Sequence, residues 1–207
     1  MVNFRSPTVK NVQKARRAAY SLLSAGVHGQ NGLDPPSSYR IIQLYVMPRL
    51  LQGLEATTLL RSDIQLLDSF YKKLLRQIQG LSDSVATEAV YLLLGSLPIE
   101  AVLHLRILSL FGNICRLEDK EPLHQLAIRQ LATADSKPHS WFSHLITIAQ
   151  KYSIDLHTAL VYPWPKETWK RYCKNTVTDS WWNGLLKNAY EKTTLRWAIW
   201  EERHHID

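Results

Sequence analysis

Apolar residues recur at helical spacing through most of this chain, and glycines or prolines separate the runs. In the first run, Val12, Ala15 and Ala19 follow one another at intervals of three and four residues, which is the spacing of one helix face. Gly26 ends that run, because glycine readily adopts the left-handed conformation that closes a helix. For residues 41–47 a strand is an alternative to a helix. The pattern as a whole predicts an all-α fold.

The same reasoning predicts a bundle-like domain of about seven helices with a Trp-rich helical appendage at the C-terminal end. Ser37 or Ser38 can cap a second helix, which must kink or restart near Met47 because Pro48 follows. The third helix is the clearest: Ser62 is a fair N-cap and Gly80 supplies the stop. Its apolar stripe comprises Ile64, Leu67, Tyr71, Leu74 and Ile78.

The second half of the chain is also predicted to be helical. Pro98 starts a helix over residues 99–114 that is apolar on most faces and therefore central and buried. His104 lies on this helix, where a hydrogen-bonded core histidine is the expected role. Shorter helices are expected over residues 85–94, 121–133, 140–151 and, after a cap at Ser153, up to residue 160.

Composition indicates a folded intracellular protein, in the cytosol or the nucleus. Hydrophobic residues make up 45% of the chain, yet no run approaches 18 uncharged apolar residues, so a membrane span is not expected. The N-terminal segment lacks the apolar core of a secretory signal. Cys115 and Cys173 lie far apart without metal-ligand spacing, so both are expected to be reduced and either buried or incidental.

The net charge of +7 arises entirely in the first 80 residues. That segment holds eleven lysines and arginines against four acidic residues, whereas residues 81–207 hold fourteen of each sign. Six of the seven tryptophans lie in the last 44 residues, from the proline-containing break at residues 161–166 onward. We therefore predict a basic helical segment (1–80), a neutral helical core region (81–160) and a Trp-rich appendage (165–207).

The basic segment predicts where a polyanion such as RNA, DNA or an RNA–DNA hybrid would bind. Arg16 is expected to face elsewhere, since it lies about 100° from Arg17 around the helix. The alternative is that these cations form a solvated face, and those near the end of the third helix also suit its dipole. The candidate contacts are Lys10, Lys14 and Arg17 on the first helix and Lys72, Lys73 and Arg76 on the third.

No arrangement of residues predicts catalysis, a metal site or a cofactor. The chain contains no glycine-rich phosphate loop, no zinc-binding pattern and no nucleophile elbow. The acidic run at residues 118–121 is expected to be a solvated turn. His204 and His205 are adjacent near the end of the chain, and adjacent positions do not share a helix face.

Five segments, in order, resemble the region C-terminal to the polymerase core in reverse transcriptases of LINE-type, non-long-terminal-repeat retrotransposons. They are KARRAAYSLLSAGVHGQNGLDP (14–35), YVMPRLLQGLEA (45–56), FYKKLLRQIQGL (70–81), AVYLLLGSLPIEAVLHLRILSLFGNICR (89–116) and RQLATADSKPHSWF (129–142). The likeness runs from about residue 10 to residue 160. No single segment is a signature, so the match depends on all five standing in order.

The resemblance implies that the N-terminal helices correspond to the start of the thumb, which packs against the template–primer duplex. The family's polymerase palm holds metal ions with an Asp-Asp motif, and that motif is absent here. The chain is therefore expected to be a non-catalytic C-terminal fragment with weak, sequence-tolerant binding to the nucleic-acid backbone. Two alternatives stay open: a helical scaffold or remnant without activity, and a protein-docking module that uses the Trp-rich tail.

Overall fold

The computed structural model describes residues 6–133, 140–192 and 195, and the regular structure within them is helical, with no strand. This confirms the predicted all-α, bundle-like fold. The described residues form ten helices, of which nine precede the predicted appendage where about seven were predicted, because short helices are separate elements. They are α1 (Pro7–Ser24), α2 (Pro35–Tyr45), α3 (Met47–Leu51), α4 (Arg61–Gln79), α5 (Thr87–Leu94), α6 (Ile99–Cys115), α7 (Pro122–Ala132), α8 (Trp141–Lys151), α9 (Leu156–Val161) and α10 (Lys166–Glu191).

Contacts divide the described residues into two compact units. The first unit comprises residues 6–52, 62–99, 181–192 and 195, and the second comprises residues 53–61 and 100–180 without the gap at 134–139. The three segments predicted from charge and composition are not tested by this grouping. Of the predicted appendage, residues 166–191 are helical, and Trp197 and Trp200 lie outside the described residues, as do His204 and His205.

Several helix starts differ from those predicted. Asp34, rather than Ser37 or Ser38, caps α2: its side chain accepts a 2.9 Å hydrogen bond from the backbone N–H of Ser37. Pro35 explains the shift, because its fixed φ suits the first helical position and leaves the preceding residue as the cap. The predicted restart near Met47 is confirmed, since α2 ends at Tyr45 and α3 begins at Met47.

Two other predicted caps are also wrong. Helix α4 already begins at Arg61, so Ser62 lies inside its first turn. Asp155 caps α9 in place of Ser153, which has a φ of 55° and lies in the turn before the helix. Helix α6 begins at Ile99, so Pro98 precedes its first residue.

The core of the first unit forms where α1 packs against α3, and α2 against α3 and α5. Burial of apolar side chains at helical spacing is what holds such short helices in place. The side chain of Asn11 donates a 2.8 Å hydrogen bond to the carbonyl of Gln52 and so ties α1 to the end of α3. The fully buried side chains here include Ala15, Ile42, Val46, Leu50, Leu67, Tyr71, Leu75 and Ile78.

The loop after α1 lies directly against the end of α4. A Cβ atom on Gly29 would stand 2.1 Å from the backbone nitrogen of Gly80, so only glycine allows this approach. Gly80 itself has a φ of 65° and ends α4, as predicted from the sequence. The close approach fixes the loop after α1 next to the C-terminal end of α4.

Helix α6 forms the core of the second unit, as its apolar sequence predicts. The indole N–H of Trp169 donates a 2.8 Å hydrogen bond to the carbonyl of Leu108. Gly112 is required beneath that indole, because a Cβ there would stand 2.2 Å from its ring. Arg106 donates two hydrogen bonds to the carboxylate of Glu55, at 3.0 and 3.3 Å. The predicted burial of the central helix is confirmed.

No single helix among the described residues is long and apolar enough to cross a membrane, although α5 and α6 pass that test of length and composition when taken together.

Candidate nucleic-acid interface

Helix α1 carries an exposed cationic face with no acidic residue on the helix. Lys10, Lys14 and Arg17 are exposed and lie opposite the buried side of the helix. Among the described residues, none of these three forms an ion pair. Their positions are fixed because the other face of α1 is packed: Val12, Ala15 and Ala19 are buried. The structure thus brings together the three α1 residues that the sequence predicted.

Local sequence explains why α1 forms here. Ser6 caps the helix by accepting a 3.3 Å hydrogen bond from the backbone N–H of Thr8, and Pro7 occupies the first helical position. The hydroxyl of Ser6 also donates a 3.0 Å hydrogen bond to Asp63 at the start of α4. The N-terminal end of the cationic face is therefore held by a cap and by a contact to a neighbouring helix.

The three predicted cations of α4 do not form one surface. Lys72 forms a 2.7 Å ion pair with Asp68, one turn earlier on the same helix. Arg76 donates a 3.0 Å hydrogen bond from Nη2 to the carbonyl of Val85, and its Nε is enclosed without a partner in the described part of the chain. Lys73 is exposed on another side of the helix. Within the described part of the chain, Lys73 is the one residue of these three that is exposed and has neither an ion pair nor a side-chain hydrogen bond.

Arg16 belongs to the candidate interface, although the sequence did not place it there. It lines a groove of about 270 Å³ between α1 and α4, together with Tyr20 from α1 and with Phe70 and Lys73 from α4. We call this the α1–α4 groove. Arg16 does face away from Arg17, as expected, but towards a second cation on the neighbouring helix. A sequence pattern could have revealed this arrangement: each helix has an aromatic residue one turn from a cation. Tyr20 follows Arg16 on α1, and Phe70 precedes Lys73 on α4.

Helix α10 carries a second row of cations. The sequence did not reveal it, because the net charge of residues 81–207 is zero. Lys166, Lys170 and Lys174 follow one another at four-residue spacing and are exposed. Lys170 lies 3.6 Å from Glu167, and acidic residues elsewhere balance the count. These lysines are in the second unit and provide a comparison surface with the same number of charges.

Burial accounts for the titratable groups that would otherwise suggest chemistry. His104 is a core residue, as predicted: its Nδ1 lies 2.7 Å from the hydroxyl of Tyr152, and burial lowers its pKa to about 3. Its 3.7 Å approach to Glu100 is therefore not an ion pair at neutral pH, because the imidazole is uncharged. Burial raises the pKa of both free thiols, Cys115 and Cys173, to about 12.

The described residues contain no group of three or more His, Cys, Asp or Glu side chains placed to hold a metal ion. The predicted absence of catalytic residues stays a prediction, since nothing in the structure measures activity.

In the comparison with known proteins, no family model, no curated protein and no solved structure matches this chain. The resemblance to the retrotransposon enzymes therefore stays a prediction.

Proposed function

We propose that this protein binds the backbone of nucleic acids, without sequence preference, through the exposed cations of α1. The observation that carries the proposal is that Lys10, Lys14 and Arg17 form one solvent-facing row on a helix that has no acidic residue. Such a row presents several positive charges along one line, as the phosphates of a strand present negative ones. The concentration of net charge in the first 80 residues supports it.

Backbone contact is favoured over base recognition because the row contains only charged side chains on an exposed, convex helix face. Lysine and arginine at such positions bind phosphate oxygens and carry no sequence information themselves. Binding should then be weak, tolerant of sequence and sensitive to salt. RNA, DNA and an RNA–DNA hybrid are all suitable ligands. We also propose, from the sequence resemblance, that the chain is a non-catalytic fragment of a retrotransposon reverse transcriptase.

A scaffold without a ligand is the second candidate, and one observation favours it. Two of the α4 cations, Lys72 and Arg76, have partners within the fold and need no ligand to explain them. The docking of a protein through the Trp-rich tail stays a prediction. Trp181 and Trp182 are both half-buried on α10, and residues 193–194 and 196–207 of that tail lie outside the described residues.

The test is a fluorescence-anisotropy titration of the full chain against labelled RNA–DNA hybrids of two unrelated sequences, repeated over a range of salt concentrations. We expect equal affinities for the two sequences and a linear fall of log affinity with log salt, with a slope of about 0.9 for each phosphate neutralised, the value for B-DNA. Absence of binding at low salt, or binding that is indifferent to salt, would overturn the proposal and leave the scaffold.

A further inference from the structure

We propose that the α1–α4 groove holds unpaired nucleotides, with bases against Tyr20 and Phe70 and phosphates on Arg16 and Lys73. This deepens the proposed function and rests on it, because it assigns single strands to a second site beside the cationic row of α1. Its geometry is independent of that row, since none of the row's residues lines the groove.

The lining of the groove provides the charge argument. Arg16 approaches from α1 and Lys73 from α4, so positive side chains stand on both walls. Among the described residues that line the groove, none is acidic. Neither Arg16 nor Lys73 forms an ion pair within the described chain. A negatively charged ligand between the two helices would therefore meet attraction from both sides and no repulsion from the lining.

The aromatic residues provide the second argument. Tyr20 is 55% exposed although it is a large and partly apolar side chain, and Phe70 is half-buried beside it in the same groove. The remaining wall is mostly apolar or neutral, with Ala19, Leu66 and Leu74. Proteins that bind single strands without sequence preference combine a positive groove with aromatic rings on which bases stack. An acidic peptide would pair with the cations of the groove but would have no bases to stack on its aromatic rings.

The groove also excludes a double helix as its main ligand. Its volume is about 270 Å³, and it lies between two helices rather than on a convex face. A base that is already paired and stacked in a duplex cannot offer its face to a side chain, whereas an unpaired base can. We therefore expect the groove to distinguish single strands from duplexes and the α1 row not to do so.

The test compares a labelled oligothymidylate with an abasic strand of equal length, which has the phosphates without the bases. The full chain is expected to bind the oligothymidylate at least about fivefold more tightly, the lower limit for one stacked base. Tyr20→Ala should lower that preference, because Phe70 alone then remains for stacking, and should weaken binding of the abasic strand less than binding of the oligothymidylate. Tyr20→Trp should restore the preference.

Tyr45 provides a matched control, since it is 54% exposed and lies on α2 away from the groove. Tyr45→Ala should leave the preference intact, and helix content by circular dichroism should be unchanged in both alanine variants. If Tyr20→Ala keeps the full preference, or if Tyr45→Ala lowers it equally, the groove is not the site. If the unmodified chain binds no nucleic acid, the proposed function itself fails. Binding of an acidic peptide as tight as that of the oligothymidylate would also overturn the groove proposal.

Discussion

Two cationic helices of the first unit, α1 and α4, differ in what their charges do. On α4, Lys72 pairs with Asp68 and Arg76 bonds to the carbonyl of Val85, so these cations have partners in the fold. Arg76 also lies in the last turn of α4, where a positive charge suits the helix dipole. Helix α1 contains no acidic residue that could pair with its cations, and none of these cations lies in the last turn of the helix.

This difference distinguishes two roles for the basic residues, in the stability of the fold and in ligand binding, which the sequence alone does not distinguish. A cation that the fold already uses needs no ligand to account for it, and its loss should lower stability. A cation with no partner contributes little to stability. A row of such cations is therefore better explained by the binding of a ligand. The comparison therefore assigns α4 mainly to the fold and α1 to binding, with Lys73 alone on α4 joining the binding side.

The largest expected effect comes from reversing the charges on α1. The variant with Lys10→Glu, Lys14→Glu and Arg17→Glu should bind the RNA–DNA hybrid about 100-fold more weakly, because attraction to three phosphates becomes repulsion. Its urea unfolding midpoint should remain that of the parent. Anisotropy and unfolding measured on the same preparation check both expectations.

The α10 row supplies the control for net charge. Lys166→Glu, Lys170→Glu and Lys174→Glu change the charge by the same amount on a different surface. We expect only a small loss of affinity from this variant. Equal losses in the two variants would mean that overall charge, rather than the α1 face, determines binding.

Arg76 should show the reverse behaviour. Arg76→Gln removes the hydrogen bond to the Val85 carbonyl and should lower the free energy of unfolding by about 1–2 kcal/mol. Affinity for the hybrid should change less than twofold. The matched control is Arg17→Gln, which removes an arginine without a partner in the described chain and should leave stability unaltered. An Arg76→Gln variant that is fully stable but binds poorly would place Arg76 in the interface instead.

Lys72 should give the smallest effect. Its pair with Asp68 has the favourable order along the helix, the acid four residues before the lysine, but it is partly exposed. Lys72→Gln should therefore cost about 0.3–0.5 kcal/mol of stability, and Lys14→Gln should cost nothing measurable. Chemical denaturation with replicate midpoints can resolve a difference of this size. A larger loss of hybrid affinity than of stability in Lys72→Gln would contradict the assignment.

The sequence predicted the helices well because apolar spacing and terminal glycines are local features. It placed several helix starts wrongly, since Pro35 moves the cap of α2 to Asp34 and the chain turns at Ser153 before α9. The Lys72–Asp68 pair was available in the sequence, as four-residue spacing on one helix. No local pattern shows that Arg76 meets the Val85 carbonyl or that Arg16 shares a groove with Lys73, because both depend on tertiary packing.

The most direct test of the central claim is the salt dependence of hybrid binding in the variant with Lys10→Gln, Lys14→Gln and Arg17→Gln. Because each phosphate contact contributes about 0.9 to the slope of log affinity against log salt for B-DNA, loss of the row should make that slope shallower by about 2–3. The unmodified chain, measured in parallel, provides the reference slope. A slope equal to that of the unmodified chain would show that the cations of α1 do not contact the phosphate backbone.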